Sequence, residues 1–415
     1  MSSRERRGLV LAYAVFGLFW GAWAAVLPAV ERQVHASDGQ LGLALAAIAL
    51  SALPATAVAG RVADARGAGR VLKACLLAFG CAAPLAALAS SLPVLIALLV
   101  GLGVTTGALD VVVNTATAAW ERAQDGRLMS IGHGAFSLGV LVGSAGAGLA
   151  RQAGAGPLPI LLAVAVCVAA VGLTQPAYPS VGGPAAPRTG RRLPRALLVL
   201  GVLSAGAFLC EDALQSWSAL QLERGLAASP AVSGLGPGLF AGAMAVGRLT
   251  GGALGHRVRE GALVAVAGSA LAVGALVLAA APTAPVALGG LVLAGLGMGL
   301  ATTTLSVLLH DLVSPVELGR ASAALQLADV LGSVGEGIVR VSDVPVLTVT
   351  GHARLPREGV LFERALVALD DSDPSEAAMA LASRLSLHMS THLILCSVLA
   401  TSFFNDLHDD SRKWL

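Results

Sequence analysis

The chain has 415 residues, of which 56% are hydrophobic and 13% charged, with a formal net charge of +2 and a mean hydropathy of +0.78. A soluble globular chain carries roughly 25% charged residues, so the composition excludes a water-soluble fold and makes lipid the solvent for most of the molecule. The small net charge points to no partner; the placement of the charges is more informative.

Apolar runs close to the length a helix needs to cross about 30 Å of hydrocarbon recur along the chain. Only helices and closed barrels can span, because backbone polar groups must pair internally. Barrel strands would alternate apolar and polar residues, and these runs do not. The prediction is an all-α polytopic membrane protein. The first run, about 8–30, follows the charged start MSSRERR but lacks a small-x-small cleavage pattern, so it reads as a spanning helix and not a removed signal. Further spans are predicted near 40–60, 71–90, 94–119, 129–150, 157–174, 196–220, 231–254, 261–281 and 284–311. An eleventh candidate near 320–339 carries Gln326, Asp329 and Glu336. Cys75, Cys81, Cys167 and Cys210 fall inside apolar runs and Cys396 in a strand-like one, which makes them small hydrophobes and not a disulfide framework.

The basic residues orient the chain. One set of connections holds Arg4, Arg6, Arg7, Arg61, Arg66, Arg70, Lys73, Arg122, Arg127, Arg188, Arg191, Arg192, Arg195, Arg257 and Arg259; the opposite set holds Arg32, Arg151 and Arg224. Positive charge collects on the cytoplasmic side, so the N-terminus is expected in the cytoplasm of a multi-pass protein of the cell (cytoplasmic) membrane. The longest connection, QPAYPSVGGPAAPRTGRRLPR at 175–195, is rich in Pro and Gly and reads as a flexible cytoplasmic linker. The expected organisation is an N-terminal bundle 1–174, the linker 175–195, an incomplete C-terminal bundle 196–339 and a tail 340–415. A degenerate repeat supports two halves: GRVADARGAG after the second span answers to GRLTGGALGHRVREG after the eighth.

These residues resemble the major facilitator superfamily, whose loop after the second helix reads roughly G-x-x-x-D-R-x-G-R-(K/R). Gly60, Asp64, Gly67 and Arg70 match that frame; Ala65 replaces the usual arginine and Arg66 follows it. The resemblance implies two helical bundles, here truncated at 10–11 spans, and a cytoplasmic gate formed by Gly60, Asp64, Gly67 and Arg70, with Arg248 as a further gate candidate. Glycines let helix ends approach, and an aspartate beside arginines at a helix end can latch the halves. The plainer alternative is a tight turn carrying positive-inside charge. NTATAAWERAQDGRLMSIGHGAFSLGVLVG at 114–143 and CEDALQSWSALQL at 210–222 are similar to the fucose-permease-like branch, with Asp212 where that branch tends to carry glycine.

Ionisable groups inside a span cost a few kcal/mol and need a reason. Asp110 and Asn114 stand one turn apart in the fourth span, and Glu211 and Gln215 one turn apart in the seventh, so each pair shares a helix face. These four are candidates for a solute and proton pathway, with Asp110 or Glu211 as the proton carrier; structural helix–helix hydrogen bonds are the alternative. Trp20 and Trp217 can stack on a sugar-like or aromatic solute, or serve in packing. His133 can titrate or pack at the cytoplasmic edge. There is no Walker loop, metal-spacing cluster or nucleophile constellation, so no enzyme activity, cofactor or metal is expected, and a gradient is the expected energy source.

After about 332 the composition changes. SDVPVLTV, RALVALDDSDPSEAAMALASRL and THLILCSVL read as short strands and an amphipathic helix, an α/β fragment. The tail resembles part of the universal stress protein family. That resemblance implies phosphate contacts at Gly332 and Ser333 and a nucleotide-proximal Asp370, although the order is end-then-start and about 80 residues are too few to complete the family's sheet. A truncated fusion or rearranged reading frame accounts for it. Eleven spans would place the tail outside and ten inside.

The expected function is secondary active transport of a small solute by alternating access, coupled to protons, with the lipid bilayer as the other partner and no nucleic acid. The alternatives are a membrane-anchored nucleotide-responsive sensor and an inactive truncated fusion.

Overall fold

A computed structural model describes residues 3–124, 128–176, 195–254, 258, 260–312, 346–347, 364–369 and 392–397. The chain divides into two units, 1–337 and 338–415.

The first unit is all-helical among its described residues. Its helices are α1 Ser3–Val34, α2 Asp38–Arg66, α3 Ala68–Ala82, α4 Leu92–Gln124, α5 Leu128–Gln152, α6 Pro157–Thr174, α7 Arg195–Leu220, α8 Pro230–Ser233, α9 Leu235–Leu254, α10 Glu260–Ala280 and α11 Ala284–Leu312. Nine stretches among the described residues are long and apolar enough to cross a membrane; α7, with 26 residues, is a further long helix. The ten predicted spans up to 311 all fall on described helices, although 71–90 runs past α3 into a 3-10 turn at Leu85–Leu88 and 231–254 takes in both α8 and α9. The eleventh candidate lies outside the described residues.

Local chemistry sets the helix ends. Ser37 caps α2: its Oγ accepts from the Gln40 amide at 3.3 Å while the Gln40 side chain accepts from the Ser37 amide at 2.9 Å. Pro157 and Pro230 open α6 and α8, where a missing N–H does no harm. Gly67 separates α2 from α3 with φ 86° and ψ 126°, a conformation that side chains rarely adopt.

Lipid gives helices no hydrophobic reason to associate, so close backbone packing carries the assembly. Gly17 and Gly21 of α1 press against Phe136 and Val140 of α5, and Gly139 and Gly143 of α5 press against Ala14 and Leu18 of α1; a Cβ at any of the four would run into a backbone carbonyl. Phe16, Phe19 and Phe79 fill the space beside this seam, with ring centroids 4.9 and 5.3 Å apart across α1 and α3. One core gathers the buried side chains of the first six helices; a second gathers Phe240, Met244, Leu291 and Met298 of α9 and α11. The first core also takes in Trp217 and Leu220 of α7. The glycines repeat one arrangement: Gly103 and Gly107 of α4 fit against Ile48 and Ala52 of α2, as Gly295 and Gly299 of α11 fit against Phe240 and Met244 of α9.

In the second unit, β1 Val346–Leu347, β2 Arg364–Leu369 and β3 His392–Ser397 form a parallel sheet in the order β1-β2-β3, with Val346 opposite Leu366 and Arg364 opposite His392. Three short strands therefore pair in parallel.

Candidate functional site

The polar groups of the first bundle form a line. On α4, the Asn114 Nδ2 donates to Asp110 Oδ1 at 3.0 Å, as expected for residues one turn apart. The buried Tyr13 of α1 donates its hydroxyl to Asn114 Oδ1 at 2.6 Å, with Met129 Sδ at 3.3 Å. The His133 ring of α5 lies 5.3 Å from the Tyr13 ring. Gly132 leaves the room for this, because a Cβ there would fall 2.5 Å from the Tyr13 ring.

The second bundle supplies one acid and one base. Glu211 of α7 stands 4.0 Å from the Arg248 guanidinium of α9, too far for a hydrogen bond. Arg248 Nε points at Thr302 Oγ1 of α11 across 3.5 Å. The Glu211 Oε2 is buried and has no hydrogen-bond partner among the described residues. Arg248 also lies within electrostatic range of His133 of α5. Gln215, one turn after Glu211, is half-buried.

The structure thus brings Asp110 together with Asn114, and Glu211 together with Arg248. Other candidates sit elsewhere. Trp20 packs edge-on against Phe16 and Phe19, and Trp217 is buried in the first core. Gly60 lies on α2 near Val111, Asp64 lies in the last turn of α2, Gly67 forms the break, and Arg70 is exposed on α3. Arg248 approaches Glu211 and Thr302, which belong to its own bundle. Gly332, Ser333 and Asp370 lie outside the described residues.

Sequence reasoning missed a second cluster, at the end of the bundles where α1 runs into α2. The α7 helix finishes in a π turn, Gln221–Gly225. Glu223 on that turn accepts from Arg151 Nη1 at 2.5 Å and Nη2 at 3.1 Å, from Arg32 at 3.2 Å and from Ser233 at 2.8 Å. Its neighbour Arg224 donates to Glu31 at 2.6 Å and Asp38 at 2.5 Å. Burial alone would push the Glu223 carboxyl up; the hydrogen bonds from Arg151 and Ser233, the Arg151 charge and the Arg32 bond outweigh it and hold the group below its ordinary value. Beside the cluster, Gly148 of α5 meets Gly234, where a Cβ would fall 2.7 Å from the Gly148 Cα. A signal for this cluster did exist: its three arginines are the ones that stand against the positive-inside pattern.

Residues 9–335 match the Major Facilitator Superfamily. The chain belongs to that superfamily. As a major facilitator protein it is a multi-pass membrane transporter driven as a secondary carrier, and not an enzyme. An uncharacterised transporter of Sinorhizobium fredii is 27% identical over 327 residues, covering 77% of this chain and 86% of the relative. Membrane protein MosC of Rhizobium meliloti is 28% identical over 287 residues, covering 69% of this chain and 70% of MosC. Among solved structures, a D-xylose-proton symporter superposes with a TM-score of 0.65 at 13% identity, covering 82% of this chain and 89% of the other. A bacterial homologue of the human lysosomal transporter Spinster, inward-facing and occupied, superposes with 0.61 at 18%, covering 83% of each chain. These structural likenesses are likenesses of the major facilitator fold.

Proposed function

We propose that this chain is a proton-coupled carrier of the fucose-permease-like branch that moves a small sugar-like solute across the cell membrane by alternating access, with its N-terminus in the cytoplasm. The observation that carries the reading is two sets of polar groups inside the spans: Asp110, Asn114, Tyr13 and His133 on one side, and Glu211 with Arg248 on the other. Carboxylates in a span are rare and mark proton and substrate paths. Asp110 is the proton carrier: Asn114 orients it, and Tyr13 fixes Asn114. Glu211 and Arg248 balance each other's charge without a hydrogen bond, so the second wall suits a neutral solute with hydroxyls, which can accept from the guanidinium and donate to Oε2. The D-xylose-proton symporter, named for a sugar and a proton, has the same fold and favours this class.

The orientation rests on the basic connections, and it makes the Glu223 end the exterior. In the proposed cycle the Gly60, Asp64, Gly67 and Arg70 turn engages the second bundle when the cytoplasmic end closes. The tail is proposed as a universal-stress-protein-like fragment, supported by parallel strands at the three stretches predicted for it; that sheet also favours a second reading, a nucleotide-responsive sensor.

Full-length protein reconstituted in liposomes, with a pH-sensitive dye inside and a sugar and polyol library outside, tests the proposal. Expected is solute uptake accompanied by acidification of the lumen. Uptake without proton entry overturns the coupling, and no uptake of any hydroxyl-bearing solute overturns the substrate class.

A further inference from the structure

We propose that the π turn at the end of α7 is the exterior gate of this transporter, with Glu223 and Arg224 as a two-signed clasp that holds the bundles closed on that side. The inference rests on the alternating-access reading and on the cytoplasmic N-terminus above.

Two consecutive residues of one bundle meet four charged groups of the other. Glu223 takes Arg151 of α5 and Arg32 of α1, while Arg224 takes Glu31 of α1 and Asp38 of α2. A π turn is wider than an α-turn, and such turns recur at functional sites. Here adjacent side chains of opposite sign reach three helices between them, and both meet α1. The pairs are not all surface decoration. The Arg151 side chain is 4% exposed and that of Glu31 6%, whereas those of Arg32, Arg224 and Asp38 are about half exposed or more. Arg151 also donates to the Ala25 carbonyl at 2.6 Å, which anchors it on the first bundle. When the bundles part, Arg151 and Glu31 stay behind and lose the partners that made their burial tolerable. Opening therefore has to bring water to both groups in place of their partners.

Two further features fit a moving part. Just past the turn, Ala227 has φ 51°, uncommon for a residue with a side chain. Upstream on the same helix are Glu211 and Gln215, so one rigid element joins the central polar groups to the clasp. The clasp also sits beside the Gly148–Gly234 contact, where the two backbones close without intervening side chains.

The test uses full-length protein in intact cells, with the five native cysteines replaced by alanine and Gln215→Cys as reporter, probed with a membrane-impermeant maleimide from outside. In the parent, the reporter is expected to be protected from outside and reactive in inside-out vesicles. Ser233→Ala, Glu223→Gln and the double change Glu223→Gln with Arg224→Gln should raise exterior labelling progressively, severalfold in the last. Labelling in detergent normalises for folded protein. If the double change does not reach the membrane, Arg151→Lys, which keeps the charge and loses the two-bond grip, takes its place. Exterior labelling equal to the parent in these variants overturns the gate while leaving the carrier reading intact. A parent reporter that reacts from outside and not from inside overturns the orientation, and the exterior gate with it.

Discussion

Asp110 is half-buried in the middle of α4, its hydrogen-bonded neighbour Asn114 one turn away. If it carries the proton, Asp110→Asn removes the titrating oxygen while keeping shape and a hydrogen bond to Asn114. Gradient-driven uptake in liposomes should fall to background while solute exchange at equal pH survives; unchanged dependence on the gradient would move the role to Glu211. Glu223 gives a second prediction, on stability. Its folded pKa is depressed, so its contribution is complete above the ordinary carboxylate value and is lost as pH falls through the folded value. The melting temperature of detergent-solubilised protein should therefore decline below about pH 4, and Glu223→Gln should start lower and decline less. Leaving Arg151 unpaired costs about 3–5 kcal/mol if the end stays closed; a smaller loss measures relief by opening. Asp110 with Asn114 was legible in the sequence because helical spacing alone puts them on one face. Tyr13 was not: its partner is 101 residues away, and nothing in a run of apolar residues marks one tyrosine for it.

Helices were the most legible level. Their lengths answer to the bilayer, and their ends to Ser37, Gly67, Pro157 and Pro230, all local chemistry. The seams between them are another matter. The glycines of α5 look alike in sequence, yet Gly139 touches the α1 backbone and Gly146 meets nothing within 4 Å. Gly139→Leu should cost about 1–3 kcal/mol or more through overpacking and reduce the folded peak in size-exclusion chromatography, while Gly146→Leu should leave that peak unchanged. Equal losses in both would mean that α1 and α5 are not packed as described. Small-residue spacing can nominate a packing face, but it cannot say which helix lies against it.

For the whole transporter, two outcomes follow from how the bundles and units are joined. Gly234→Leu should hold apart the end that Gly148 and Gly234 close, and stop turnover without preventing membrane insertion; normal turnover would show that this contact is dispensable. Truncation after Val341 should leave uptake in liposomes intact, since the residues assigned to transport all precede it, whereas loss of uptake restored only by a chain carrying the tail would favour the sensor.

Composition and span lengths determined that the chain is a helical multi-pass membrane protein, because the cost of unpaired backbone in lipid acts on each segment locally. The pairing of Glu223 and Arg224 with α1, α2 and α5, and the bond from Tyr13 to Asn114, were decided by the tertiary structure alone. Those depend on which surfaces of distant helices come within a few ångströms, and no short-range rule of sequence encodes that.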